Sequence, residues 1–186
     1  MNDHHLILGQ IKDLITGRMI DDTHDERYRQ KVAHLLLDTK GYERTEIRSQ
    51  EVVCVKAGAK SAKVPVTFII YINERPAMLI QYGPGSLVTR YRPALALAKI
   101  AAPYQIPVVV VTNGEQADIL DSRTGRVTAS GLNQIPSKEQ LTRRLHNHNW
   151  STASRLHAEM ASRIVMAFEV DDRCPCDDTV CSWNET

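Results

Sequence analysis

Residues 66–72 read VTFIIYI, residues 73–76 NERP and residues 77–82 AMLIQY, and the fold is decided here. Two apolar runs of strand length flank four residues that favour a turn, which is the pattern of a β-hairpin. A Gly-Pro-Gly break at 83–85 ends the second run, and an alanine-rich stretch over 90–102 follows as a helix. Residues 108–112 (VVVVT) lie between Pro107 and the turn pair Asn113-Gly114, as expected of a strand buried on both faces. Two short strands, 117–120 and 126–128, are joined by a turn at Thr124-Gly125. The remainder reads as helices over 137–146 and 152–168, the second placing Leu156, Met160, Ile164, Val165 and Phe168 on one face.

On the other side of the hairpin, a strand over 51–56 and a polar, Gly-containing turn over 57–63 precede it. Before them, Thr23 and Glu26 have the spacing of a capping box, in which each side chain covers a free backbone N–H. Tyr28, Val32, Leu35 and Leu36 then line one face of a helix that Gly41 closes. An apolar pattern over 6–15 predicts one further short helix, ended near Gly17. The elements add up to an α/β fold, a mixed sheet flanked by helices. The expected organisation is one domain over 1–170 and a cysteine-containing tail over 171–186.

A chain of 186 residues that is 42 % apolar has enough material for a core of ordinary size. Its formal net charge of +1 gives no global attraction for a polyanion, so nucleic-acid binding has to be argued from local groups. No apolar run approaches the roughly 20 residues that a membrane helix needs. The N-terminal residues have no signal-peptide pattern, so the expected compartment is the cytoplasm, with no membrane partner.

Residues 23–127 resemble the N-terminal nuclease domain of type I restriction enzyme R subunits. The likeness rests on Asp25-Glu26-Arg27-Tyr28-Arg29-Gln30 opening the first helix, Gly41-Tyr42 closing it, the hairpin with Pro76, and Val111-Thr112-Asn113-Gly114 on the later strand. It implies a restriction-endonuclease-like fold with the PD-(D/E)XK active site on the hairpin. Such a site takes an Asp from the first strand and Glu-X-Lys from the second, holding Mg²⁺ by carboxylates to activate water. Here Thr67 stands at the Asp position, Gln81 at the Glu and Gly83 at the Lys. Without two anionic ligands Mg²⁺ has little reason to shed water, and without the Lys the developing charge loses its cation. The resemblance therefore implies a nuclease fold without an intact catalytic set. Glu26 falls where the family has a helix-borne carboxylate, and it also fits the third position of the capping box. Glu51, Glu74, Asp118 and Asp121 are the candidates for relocated metal ligands, each with ordinary surface solvation as its plainer reading. No ATPase segment is read in the sequence, so if type I restriction is the ancestry the expectation is a chain without the motor.

A binding role needs only cations in the right place. Arg90 and Arg92 at the start of the 90–102 helix, Lys56, Lys60 and Lys63 before the hairpin, and Arg143 and Arg144 in a later helix are candidates for phosphate contacts. The competing reading is a set of solvated faces. The expected partner is DNA or another protein. With only two Phe and two Trp, no base-stacking platform is visible.

The four cysteines are unevenly spread, with Cys54 alone and Cys174, Cys176 and Cys181 close together. Thiolates this closely spaced in a reducing compartment suggest Zn²⁺ or an iron–sulfur cluster, with Cys54, His146, His148 or His157 as the fourth ligand. The one-plus-three arrangement is similar to that of the CRISPR adaptation nucleases, which carry a [4Fe–4S] cluster. The closing Cys-X-Cys-X4-Cys spacing is tighter than theirs. Opposed to a metal site are free or reversibly oxidised thiols in a frayed tail, and a Cys54 that serves as a small buried hydrophobe.

Overall fold

The structure of the protein, a computed structural model, describes residues 7–146 and 148–171. Its centre is the expected hairpin, β4 (Lys60–Ile72) and β5 (Arg75–Tyr82), paired antiparallel. Asn73 and Glu74 make the turn with φ of 49° and 63°, left-handed values that suit the right-handed twist of a two-residue hairpin. β3 (Ile47–Ala57) pairs with β4 on one side. On the other, β6 (Val108–Thr112) runs parallel to β5. The antiparallel strands β7 (Ala117–Asp121) and β8 (Val127–Ser130) complete a six-stranded sheet in the order β3-β4-β5-β6-β7-β8. This is the mixed sheet expected from the sequence.

A parallel pair needs a crossover, and α2 (Val88–Ile100) supplies it. Ala94, Ala96, Leu97 and Ala98 of α2 pack on one face of the sheet with Val109, Val111 and Leu120, and α4 (Arg155–Met166) joins them through Ala161, Val165 and Met166. On the opposite face, α1 (His24–His34) brings Val32 and Ala33, and α3 (Lys138–Leu145) brings Leu141 and Leu145, against Phe68, Ile70, Ile80 and Val110. Phe68, Ile69, Ile70, Leu79 and Ile80 are each at most 1 % exposed. Burial of each such side chain contributes about 1.5–3 kcal/mol, so the hairpin is a large contributor to core stability.

Several local expectations change. The 6–15 helix is instead a small hairpin over its described part, β1 (Gln10–Lys12) with β2 (Met19–Asp21). Asp13 is the reason: its Oδ1 accepts the N–H groups of Ile15 and Thr16, closing a turn that competes with helix. The turn expected over 57–63 is only Gly58 and Ala59, so Lys60 and Lys63 belong to β4. In α4 the buried face is Ala161, Ser162, Val165 and Met166, leaving Leu156 65 % and Met160 53 % exposed. Thr23 caps α1 as expected, its hydroxyl oxygen accepting the Glu26 N–H at 3.1 Å. Glu26 does not reciprocate and turns to other partners.

A glycine locks α1 to the sheet. Gly114 has φ of +84°, and a Cβ there would collide with the Tyr28 ring of α1. Tyr28 in turn stacks on Tyr82 of β5, with centroids 6.2 Å apart, and its hydroxyl donates to Glu115. Tyr28 and Asn113-Gly114, distant in sequence, are thus one packing unit.

Candidate functional site

The end of the hairpin opens into a cleft of about 740 Å³ between the start of α1 and the start of α2. Thr67, Gln81, Gly83, Glu26 and Arg90, five residues singled out from the sequence, all line it. Thr67 reaches it through an irregularity. Val64 and Val66 of β4 pack towards α2 and α4 whereas Phe68 and Ile70 pack towards α1, so the alternation slips by one residue at Thr67. Across from it, Gln50 of β3 has a left-handed φ of 54°.

The polar atoms at the hairpin positions are engaged with one another. The Thr67 N–H donates to Gln81 Oε1 at 3.2 Å, Gln81 Nε2 donates to the Pro65 carbonyl at 3.4 Å, and Thr67 Oγ1 accepts the Tyr82 N–H at 2.9 Å. Both residues are at least nine-tenths buried. The oxygen through which Gln81 would meet a cation therefore already closes the sheet.

Glu26 is held by a buried network that the sequence did not reveal. Arg29 Nε and Nη2 donate to the two Glu26 oxygens at 2.8 and 2.6 Å, and Gln30 Nε2 donates to Glu26 Oε1 at 2.7 Å. The same Arg29 Nη2 donates to Asp13 Oδ2 at 2.6 Å, Gln30 adds a bond to that oxygen, and Arg29 Nη1 donates to Ser49 Oγ. Asp13 is 2 % and Arg29 5 % exposed. Burial pushes the Asp13 carboxyl up, but the Thr16 N–H and the Arg29 guanidinium outweigh it, and the net shift is below the ordinary carboxylate value. The spacing of Glu26 to Arg29 and Gln30 is a legible helical i,i+3 and i,i+4 signal, whereas Asp13 arrives from another element.

Asp25 and Glu169 are the other carboxylates of the cleft. Asp25 Oδ1 accepts the Tyr82 hydroxyl at 2.9 Å, and burial followed by that bond pushes the Tyr82 phenol well above its usual range. Among the described residues no three His, Cys, Asp or Glu side chains come together as a metal site. The donors on the hairpin do not fit Mg²⁺, since both are neutral and both are already bonded. The relocation candidates lie elsewhere: Glu51 accepts from Tyr71, Glu74 forms the hairpin turn, Asp118 accepts from Tyr91 and Ser130, and Asp121 binds Thr124 and Arg144.

Arg90 has moved into the place that Gly83 leaves. A Cβ on Gly83 would collide with the Arg90 guanidinium carbon, so the guanidinium lies flat on the glycine where any side chain would begin. Its Nη2 donates to the Pro84 carbonyl at 3.2 Å, while Nε is buried and makes no hydrogen bond. Arg92 lies outside the lining, its guanidinium 5.9 Å from the ring centroid of Phe168, which does line the cleft. Lys56, Lys60 and Lys63 are exposed at the far end of the β3–β4 hairpin and do not line the cleft. Arg143 and Arg144 belong to a different cleft.

Cys54 is exposed on β3, directly across from Lys63, and is not the buried hydrophobe expected of it. Cys174, Cys176 and Cys181 lie outside the described residues. His146 and His148 part company, the first lining a cleft with Trp150 and Arg75 and the second a cleft with Arg143 and Arg144, and His157 is exposed on α4.

The ends of the sheet, the α1 opening motif and the Asn113-Gly114 turn all fall inside one family match. The chain belongs to the family of type I restriction enzyme R protein N termini, whose model matches residues 24–136. The resemblance seen over 23–127 thus extends through β8. No curated protein and no solved structure matches the chain. Among the described residues no helix is long and apolar enough to cross a membrane.

Proposed function

We propose that this chain is a non-cleaving member of its family that retains the nuclease cleft as a DNA-binding groove. The observation that carries the reading is Arg90 lying on Gly83. It supports a cleft that has kept a cation at the position from which the family's lysine would extend, while the neighbouring acidic positions are Thr67 and Gln81. The Arg90 guanidinium makes one hydrogen bond, to the Pro84 carbonyl, and its Nε none, so on lifting from the glycine it has donors for a phosphate oxygen. The first turn of α2 adds backbone N–H groups: Leu87 at its N-cap provides no side-chain acceptor, and although the Arg90 N–H is bonded to the Leu87 carbonyl, those of Val88 and Thr89 can face an anion. Arg29, shared between Glu26 and Asp13, offsets part of the negative charge that the cleft presents to a DNA backbone.

The test combines nicking of supercoiled plasmid in Mg²⁺ or Mn²⁺ with fluorescence anisotropy of a labelled duplex at several salt concentrations. The expected result is no nicking, together with binding that Arg90→Ala weakens and whose salt dependence falls by about one phosphate contact. Nicking that Glu26→Gln abolishes would replace this reading with a nuclease using relocated ligands. Absence of duplex binding at low salt would favour a protein partner.

A further inference from the structure

The molecule has a second polar cleft, at the opposite end of the sheet. Gln81 and Tyr82 pair with Val111 and Thr112 at the C-terminal ends of the parallel strands, where the first cleft opens. Pro107, Asp121 and Ser122 line the second, where β6 begins and β7 ends. The two are thus separated by the length of β6, about 16 Å at ~3.3 Å per residue.

This second cleft, about 500 Å³, concentrates positive charge that the whole chain lacks. Arg123 from the β7–β8 turn and Arg143 and Arg144 from the last turn of α3 line it, with His148 beyond that helix. Against three guanidiniums stands one lining carboxylate, Asp121, in a chain whose overall formal charge is +1. Asp121 is largely committed: Oδ1 accepts the Thr124 N–H and hydroxyl at 2.9 Å each, and Oδ2 accepts from Arg144 at 3.3 Å. Glu139 faces Arg143 from one helical turn away at 3.7 Å, a solvated pair that contributes little. Arg123 is exposed and has no hydrogen bond or ion pair to a described residue.

Cations in the last turn of a helix are an ordinary complement to its dipole, and that accounts for Arg143 and Arg144 alone. It does not account for a third arginine that converges on them from a different element, nor for a concavity edged by the neutral donors Ser122, Asn149 and Ser151. Guanidiniums arriving from separate elements match the several oxygens of one phosphate, and the volume falls in the range of small-ligand sites.

We propose that this cleft binds a phosphomonoester through Arg123, Arg143 and Arg144, with His148 at its edge. The imidazole supplies a reporter. Burial, then Arg144 and Arg123, hold His148 below the usual histidine range, with Asp121 opposing them. A dianion placed among these groups offsets the repulsion from the arginines and raises the His148 value, so the ligand and a proton bind together.

The experiment is NMR observation of the His148 ring while inorganic phosphate replaces chloride at constant ionic strength. It is run on the wild-type chain, on Arg123→Ala and on Arg123→Ala/Arg143→Ala. These side chains are exposed, so their removal leaves the fold intact. The expected result is a saturable shift with an upward movement of the His148 titration, weakened about tenfold or more in the double variant, the equivalent of at least ~1.4 kcal/mol. A phosphate response that does not saturate, or that is equal in the double variant, overturns the proposal. Comparison of a 5′-phosphorylated with a 5′-hydroxyl oligonucleotide identifies the source. Tighter binding of the phosphorylated strand than of inorganic phosphate assigns a nucleic-acid end, and equal binding assigns a small phosphorylated molecule. Arg90→Ala leaves the His148 response unchanged, so failure of the first cleft's reading and failure of this one are separable.

Discussion

Arg29→Ala removes the one cation shared by two carboxylates, and its cost follows from the geometry. Asp13 is 2 % exposed and accepts from Arg29 at 2.6 Å, so the variant strands a buried negative charge. Breaking a buried pair from one side costs about 3–5 kcal/mol. Asp13 keeps its bonds from Thr16 and Gln30, which places the expected loss near the lower end, about 3 kcal/mol. In a chain of this size that lowers Tm by roughly 6–12 °C, at ~2–4 °C per kcal/mol. Urea unfolding at neutral pH measures it directly. The pH dependence gives an independent check. In the wild type the Asp13 carboxyl is held below the ordinary carboxylate value, so its contribution is complete above that value and is lost as pH falls through the lower folded one. Without Arg29, burial dominates and the carboxyl takes up its proton at higher pH, so the gap between variant and wild type narrows as the solution is acidified from neutrality. A loss below about 1 kcal/mol, or a gap that stays constant with pH, would mean that Arg29 is not what keeps Asp13 ionised in the fold.

Three further outcomes are expected. Gly114→Ala combines a left-handed φ of +84° with a Cβ driven into the Tyr28 ring, and should cost about 2–4 kcal/mol in a thermal or denaturant melt. Gly83→Ala meets only the flexible Arg90 side chain, so its stability should stay within about 1 kcal/mol of the wild type while duplex affinity in the anisotropy assay falls as the guanidinium is displaced. Leu156→Ser and Met160→Ser, on the exposed side of α4, should each change stability by no more than about 0.5 kcal/mol, in contrast to Val165→Ala, which opens a cavity in a fully buried position.

The parts of the fold that were legible from the chain are those in which local pattern and tertiary position agree. The runs 66–72, 77–82 and 108–112 are apolar because they are central strands, and Thr23 before the first helix is a cap that needs only its own neighbours. The misreadings have the opposite character. The apolar spacing over 6–15 imitates a helix, yet the carboxylate of Asp13 serves a turn and a distant arginine at once. In α4, Leu156 and Met160 have the hydropathy of a buried stripe, but the docking of that helix on α2 selects the small Ala161 and Ser162 instead. The hairpin positions Thr67, Gln81 and Gly83 were found by counting along strands. The Arg90 guanidinium on Gly83 was not legible, because the fit depends on where α2 begins relative to the end of β5. Arg123 was missed for a similar reason: its neighbours Arg143 and Arg144 are far from it in sequence and meet it only through the β7–β8 turn.

Whether the hairpin has lost its metal is read most simply by calorimetric titration of Mn²⁺ into the wild-type chain and into Thr67→Asp/Gln81→Glu, which restores the two acidic positions of the hairpin. The wild-type cleft should show no saturable binding, and the double variant should gain a site. Saturable Mn²⁺ binding by the wild type that Glu26→Gln removes would contradict that expectation, since the cleft would then hold a catalytic metal without those carboxylates.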